Sequence, residues 1–551
     1  MLSSKPDGAA SIDPVQLEII RGALIAAAEE MSVTIHRTSR STVVREMLDY
    51  STQIFDGDGN AVAQAARIPV HLNSMSVCLD RIIADFIPLE EWHEGDVILT
   101  NDPYCGGQHL PDFVAFRPVF VDGTRIGISA TIVHHIDVGG GAAGSYYPDA
   151  REVYQEGLRI PPCKVVEAGK PNQAVIAIIR QNSREPDQIG GDFASQLAAM
   201  EIGEAALRKL ANRYGASTLR AAMKALQNQS ESAMRAMLSG LPDGTYHFTD
   251  YVDDDGLGSD PLKLQCAVTI AGDTCNVDFS GSSPQAAGPV NCTLNMTASG
   301  IYCALTMLAD GTVMANSGAY RPITIKAEDG TIVAARSPAP VANRMATGHR
   351  VVTTVLGALA QAAPTIVPAA YYGVSYVQTL ATIDPVTNAS RVYFEIEIGG
   401  WGAHPAQDGA DALSAGFHNS SSTPVELNEA YFPLTFTEYS LIPGSGGEGE
   451  FRGGTGLRRA YRLDSGAGRL SGNFERFKIP PYGLSGGKPG RPGQFYYVRD
   501  GVQHALPSKL ANHIVEPGDI VVLETAGGGG FGDAAQRDEA AELADKLGGY
   551  V

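Results

Sequence analysis

LTNDPYCGGQHLPDFVAFRPVFVDGTRIGISATIVHHIDVGGG, residues 99–141 of a 551-residue chain, is the stretch from which the rest can be read. It carries His109, His134 and His135 together with Asp102, Asp112 and Asp137. Asp122-Gly123 lies between two β-rich runs and signals a hairpin. With a two-residue loop Val121 opposes Thr124 and Asp112 opposes Val133; with a three-residue loop Asp112 opposes His134. Either register sets the HLPD end beside the HHID end, and the chain can bend at Pro111 so that His109 joins them.

The second strand distinguishes the histidines. From Ile126 to Ile136 the even positions read Ile, Ile, Ala, Ile, His, Ile, and the odd ones are mostly polar. With a period of two, His134 ends the apolar face while His135 and Asp137 lie on the other. A histidine at the end of a buried face needs partners for its ring nitrogens. A divalent metal bound by neutral imidazole and carboxylate would supply one. Core histidines hydrogen-bonded to aspartates are the alternative.

Composition narrows the function classes. The length suits two or three domains. A hydrophobic content of 44% with 19% charged residues is ordinary for a globular protein. The formal net charge of −20, with no basic run, argues against nucleic acid and anionic membranes as partners. Seven scattered cysteines, odd in number and without C-x-x-C, predict a reducing compartment rather than a disulfide framework. The start, MLSSKPDGAASIDP, lacks a basic-then-apolar leader, and no apolar run approaches ~18 residues, so a cytoplasmic protein is expected.

Outward from the central stretch, Asp13-Pro14 opens a helix expected to reach about Val33. Asp58-Gly59 predicts a hairpin between QIF and AVAQ. Glu46 and Asp49 precede it, near Arg40 and Arg45, and read as salt-bridged surface groups unless they reach the histidines. His71 follows Pro69. A helix over 75–86 and a strand over 96–100 lead into the central stretch. Residues 174–237 read as helical and 244–281 as β. The acidic triple Asp253–Asp255 lacks the spaced ligands and closing Glu of a calcium loop and reads as a solvated turn. Helices are expected near 299–308 and 351–361, then a strand- and glycine-rich part ending in a helix over 534–547. The fold class expected is α+β and multi-domain, with mixed helices and largely antiparallel sheets. Its parts are an N-terminal α+β metal-site domain (1–240), a middle α/β region (241–400) and a Gly-rich, β-dominated C-terminal region (401–551).

Glycine clusters invite comparison with phosphate loops. GLSGGKPG (483–490) has Tyr482 where the first glycine of a P-loop would stand, and Pro489 follows Lys488. Gly527-x-Gly529-x-x-Gly532 follows a strand and precedes a helix, but Val551 leaves no room for the rest of a dinucleotide fold. It is expected to be a tight turn. Gly139, Gly140 and Gly141 adjoin the histidines, where backbone N–H groups could line a substrate pocket. No nucleotide-binding residue and no G-x-S-x-G nucleophile elbow are found.

Eleven ordered pieces resemble one family: DPVQLEIIRGAL, REMLDYSTQIFDGDGNAVAQ, IPVHLNSM, GDVILTNDPYCGGQHLPD, HHIDVGG, GLRIPP, VDFSGSSPQAAGPVN, PVELNEAYFPL, GEGEFRGGTG, ERFKIPPYGLSGGKPG and ETAGGGGFGD. The chain resembles hydantoinase B, the β-type subunit of ATP-dependent hydantoinases and 5-oxoprolinases, related to a subunit of acetone and acetophenone carboxylases. The resemblance implies a divalent metal (Mn, Zn or Fe) held by His109, Asp112, His134 and Glu46, with Asp49 as the other candidate for the fourth ligand. His135, Asp137 and Asp49 become candidates for proton transfer, and His71, Gly139 and Gly140 for substrate contact. It further implies a partner, a hydantoinase A-type subunit of actin/hexokinase-like fold carrying ATP and Mg, in a hetero-oligomer. Cys105, Trp401 and His404 depart from the family pattern. The activity implied is ATP-dependent hydrolysis of a cyclic amide such as a hydantoin, 5-oxoproline or a lactam: the partner phosphorylates the substrate and the metal here assists ring opening. A biotin-independent carboxylase subunit and a non-catalytic scaffold are the alternatives.

Overall fold

The computed structural model describes residues 12–309, 311, 313–383, 390–414 and 416–551. The first sheet has seven strands: β1 (Tyr50–Asp56), β2 (Ala61–Gln64), β3 (Val97–Thr100), β4 (Asp112–Val121), β5 (Thr124–His134), β6 (Cys163–Glu167) and β7 (Lys170–Pro171). Their order is β2-β1-β5-β4-β3-β6-β7, and every pairing is antiparallel.

Asp122 and Gly123, both at positive φ (49° and 75°), close a two-residue turn between β4 and β5, and Val121 opposes Thr124. The register then slips. Val119 pairs with Gly127 and Phe120 with Arg125, so Ile126 is the extra residue of a bulge. That one residue moves Asp112 from Val133 to His134. Beyond it the expected alternation holds: Ile128, Ala130 and Ile132 enter a core with Met75, Leu79 and Ile82 of the Ser74–Asp85 helix.

The opposite face is covered by two long helices. The first runs over Pro14–Thr38, a turn beyond expectation, and Asp13 caps it by accepting from Gln16 N at 3.1 Å. Its buried stripe of Leu17, Ile20, Leu24, Ala28, Met31 and Ile35 meets Ala199, Leu207 and Leu210 of the Pro186–Tyr214 helix.

A second sheet, in the order β11-β10-β9-β8, comprises β8 (Gly244–Val252), β9 (Leu262–Ala271), β10 (Thr274–Asp278) and β11 (Ile323–Lys326). It shares the largest core with the helices Leu294–Thr306 and Arg344–Leu359. A third, β13-β12-β16-β19, joins β12 (Tyr376–Ile383) and β13 (Ser390–Glu397) to β16 (Gly468–Asn473) and β19 (Lys509–Val515). A fourth, β14-β15-β20-β17-β18, comprises β14 (Leu434–Leu441), β15 (Leu457–Leu463), β17 (Gln494–Arg499), β18 (Val502–Ala505) and β20 (Ile520–Glu524). The boundary expected at residue 400 therefore falls inside a hydrogen-bonded unit, because β12 pairs with β16 across it.

Two local expectations are corrected. Asp253–Asp255 is buried, not solvated. Asp253 accepts from the backbone of Phe477, Lys478 and Ile479, and Asp254 pairs with Lys478 and Lys509, so the triple ties two distant segments together. Gly527–Gly530 is a run of crossing contacts rather than a tight turn. The N–H of Gly527 bonds Arg491 O, that of Gly528 bonds Gly454 O, that of Gly529 bonds Ala370 O and that of Gly530 bonds Lys488 O. A Cβ at Gly528 would lie 1.8 Å from Trp401 O, and one at Gly454 1.9 Å from Ala410 O. Only glycine permits backbones to approach that closely.

All seven cysteines are free thiols. Among the described residues no helix is long and apolar enough to cross a membrane. The first eleven residues, on which the absence of a leader was read, lie outside the described residues.

Candidate metal centre

At one end of the first sheet, His109, Asp112 and His134 present ligand atoms that all lie within 4.8 Å of one another. Each is placed by backbone. Asp112 opens β4 and His134 closes β5, directly opposite one another. The turn before β4 is closed by Asp112 N bonding His109 O at 3.0 Å, which returns the His109 ring to the strand end. His134 N in turn bonds Asp49 O at 3.1 Å, tying in the segment that enters β1.

The group is closed to solvent: His109 and Asp112 are 0% exposed and His134 1%. His109 Nδ1 and Asp112 Oδ2 are 2.7 Å apart. That leaves His109 Nε2, Asp112 Oδ1 and both ring nitrogens of His134 buried without a hydrogen-bond partner. Burial lowers the imidazole of His109 to about 4 and that of His134 well below its ordinary value, so both are neutral near pH 7. Burial works against the charge of Asp112, but His109 and Arg344 outweigh it and hold the carboxyl far below its ordinary range. Neutral imidazoles with free nitrogens beside an ionised carboxylate are the donor set that a divalent cation needs, and so the residues fit a metal.

Asp49 stands against this group. Burial, and then the charge of Asp112, raise its carboxyl to about 7. The Asp49 carboxylate is not among the ligand atoms that lie within 4.8 Å of one another, but two buried carboxylates that act on each other's charge repel, and a cation near them relieves both burdens. His71, 1% exposed, is fixed by Ser51 Oγ at its Nδ1 (2.9 Å), and its Nε2 lies 3.9 Å from Asp49 Oδ1. Glu46 is not brought to the group. It ends the short Thr42–Arg45 helix, and its carboxylate lies 3.5 Å from the Arg45 guanidinium.

The remaining candidates have other surroundings. His135, one residue beyond β5, turns to other surroundings than His134 and packs on the Phe113 ring with centroids 4.2 Å apart beside Gln196. Asp137 is fully occupied: its oxygens accept from the N–H groups of Gly139, Gly144 and Arg184 and from Arg184 Nη1, at 2.9–3.0 Å. Gly139 N is therefore spent on Asp137, and Gly141 N on Gln155 O. Gly140 sits at φ 83°, where a Cβ would lie 2.5 Å from the Glu156 carbonyl. The Gly139–Gly141 loop is thus a pinned turn, and two of its three amides are engaged.

Sequence reasoning missed Arg344, 232 residues from Asp112, whose Nη2 donates to Asp112 Oδ2 at 3.1 Å. Its Nη1 reaches the Tyr146 hydroxyl at 3.4 Å, and the Tyr146 ring packs edge-on against His109. No local signal marked it: the helix expected over 351–361 begins seven residues earlier, at Arg344.

Known proteins share this fold. The family model for Hydantoinase B/oxoprolinase matches residues 13–534. The β subunit of caprolactamase from Pseudomonas jessenii is 34% identical over 554 residues, covering 98% of this chain and 94% of that one. The crystal structure of the ATP-dependent caprolactamase from the same organism superposes with a TM-score of 0.91 at 33% identity, over 98% of this chain and 95% of that one. Nucleotide-free acetone carboxylase reaches the same TM-score at 19% identity, over 98% of this chain and 78% of that one, and so shares the fold.

Proposed function

The chain belongs to the hydantoinase B/oxoprolinase family, and we propose that it is the metal-bearing subunit of an ATP-dependent cyclic-amide hydrolase. The observation that carries this reading is the buried His109–Asp112–His134 group with its unpaired ligand atoms. In this reading Asp49 completes the ligand set, in place of Glu46. The mixed N/O donors suit manganese, zinc or iron without choosing among them. When bound, such an ion supplies Lewis-acid polarisation and lowers the pKa of water.

The partner is an A-type subunit that holds ATP with Mg and phosphorylates the amide oxygen. This division of labour agrees with the Gly527–Gly530 run of this chain, whose four amides are all spent on other backbone. Water then adds to the activated carbon, the ring nitrogen leaves with a proton, and hydrolysis of the resulting acyl phosphate releases phosphate. The chain's own residues exclude bulk water, and His71, locked by Ser51, orients Asp49. Seven free thiols fit a cytoplasmic protein.

The test uses the complex of both subunits with ATP, hydantoins, 5-oxoproline and lactams in labelled water. Ring-opened product that has gained solvent oxygen is expected. Labelled bicarbonate retained in a new carboxylate, without ring opening of any substrate, would assign the chain to a carboxylase instead.

A further inference from the structure

The Arg344–Leu359 helix begins at the metal centre, because Arg344 touches Asp112. Asn343, its N-cap residue, does not cap it: the side chain makes no hydrogen bond to the first turn. Asparagine is favoured at that position because it can accept from the free N–H groups there. Here both amide atoms of Asn343 are buried without a partner, and so are Arg344 Nε and Glu156 Oε2. These residues are 1%, 3% and 1% exposed. Glu156 is held next to them, its Oε1 accepting from Val341 N and Ala342 N at 2.7 Å. A buried polar atom without a partner is costly, and four of them at one helix start point to a polar ligand.

The charge of that ligand follows from its surroundings. A guanidinium and the positive end of a sixteen-residue helix both attract an anion. Burial pushes the Glu156 carboxyl up to about 8, so at neutral pH it is mostly protonated and its free oxygen can donate. Next to the site lies the proposed divalent ion, whose two charges with that of Arg344 exceed those of Asp112 and Asp49.

We propose that Asn343, Arg344 and Glu156 form an oxyanion site that holds the phosphoryl group of the activated substrate beside the metal ligands. The inference rests on the reading that the substrate arrives phosphorylated. It gives the partner's product a place to be recognised by the group that distinguishes it from unactivated amide. The same atoms keep hold of that group until it departs as inorganic phosphate. None of them reaches solvent, so occupancy requires a wall of the site to move, and the test reads binding at equilibrium.

The experiment is equilibrium dialysis of the full chain against labelled inorganic phosphate, with metal content measured on the same samples. One saturable phosphate per chain is expected. Asn343→Asp keeps the shape of the side chain but adds a repelling charge, and should weaken binding roughly ten-fold or more. Asn343→Ala, a milder change, should also weaken it and serves if the Asp variant fails to fold. Absence of saturable binding to the wild type, or equal affinity in wild type and folded variants, would overturn the inference. A chain that holds phosphate with this dependence but no metal would instead refute the proposed function, so the two failures are separable.

Discussion

Gly139–Gly141 and Gly527–Gly530 look alike as sequence and are glycine for opposite reasons. In the first run, φ is 90° at Gly139 and 83° at Gly140, and side chains hold the turn: Asp137 takes the Gly139 amide and Arg184 grips Gly140 O and Ala142 O. In the second, four successive amides reach four carbonyls in three separate segments, and the requirement is the absence of a side chain. A phosphate loop needs free amides converging on one point, and neither run offers them. The difference teaches where chemistry can sit in this molecule. In the lattice backbone meets backbone and leaves no room for a ligand, whereas at the sheet end buried side chains keep polar atoms unpaired.

The largest effect should come from breaking the lattice. Gly528→Ala places a methyl group 1.8 Å from a carbonyl oxygen and should cost more than ~4 kcal/mol, abolishing soluble folded protein. Gly501→Ala, at φ 77° with open space around it, should cost only about 1–2 kcal/mol in thermal or denaturant unfolding. Comparable losses would show that the lattice tolerates side chains. Asp137→Ala comes next, at about 3 kcal/mol, since it removes the acceptor of three backbone N–H groups and of the Arg184 guanidinium. Its metal content should stay at the wild-type level; loss of metal in a folded Asp137→Ala protein would make the loop part of the centre.

Another effect depends on pH. The fold raises the Glu156 carboxyl from 4.5 to about 8, so the folded chain binds this proton more tightly than the unfolded one. The associated stability is complete below about 4.5 and is lost as pH rises towards about 8. Denaturant titrations should therefore show wild type losing up to a few kcal/mol across that window relative to Glu156→Gln. Parallel pH profiles would contradict this. The smallest effect is expected at Glu46, whose partly exposed pair with Arg45 is worth under ~1 kcal/mol. Glu46→Gln should keep its metal while Asp49→Asn loses it, and the reverse pattern would restore Glu46 as a ligand.

Much of the fold and part of the centre were legible in the sequence for identifiable reasons. Asp122-Gly123 fixed the turn, and alternation along β5 separated His134 from His135, because strand periodicity is local. The bulge at Ile126 was not legible. It depends on how β5 sits between β1 and β4, with Arg125 reaching across to Gly57 O and Leu89 O. Yet it is this bulge that sets Asp112 opposite His134 behind a two-residue turn. Arg344, Asn343 and Glu156 were missed because they come from segments far apart in the chain. The burial of Asp253 was missed because a run of acids reads as solvated unless the backbone amides awaiting it are known.

Metal content tests the central claim most directly. Elemental analysis of purified wild-type chain should find about one divalent ion per chain, and His109→Ala and His134→Ala, with the fold confirmed by circular dichroism, should retain almost none. Equal metal in wild type and both variants, or none in any of them, would contradict the centre.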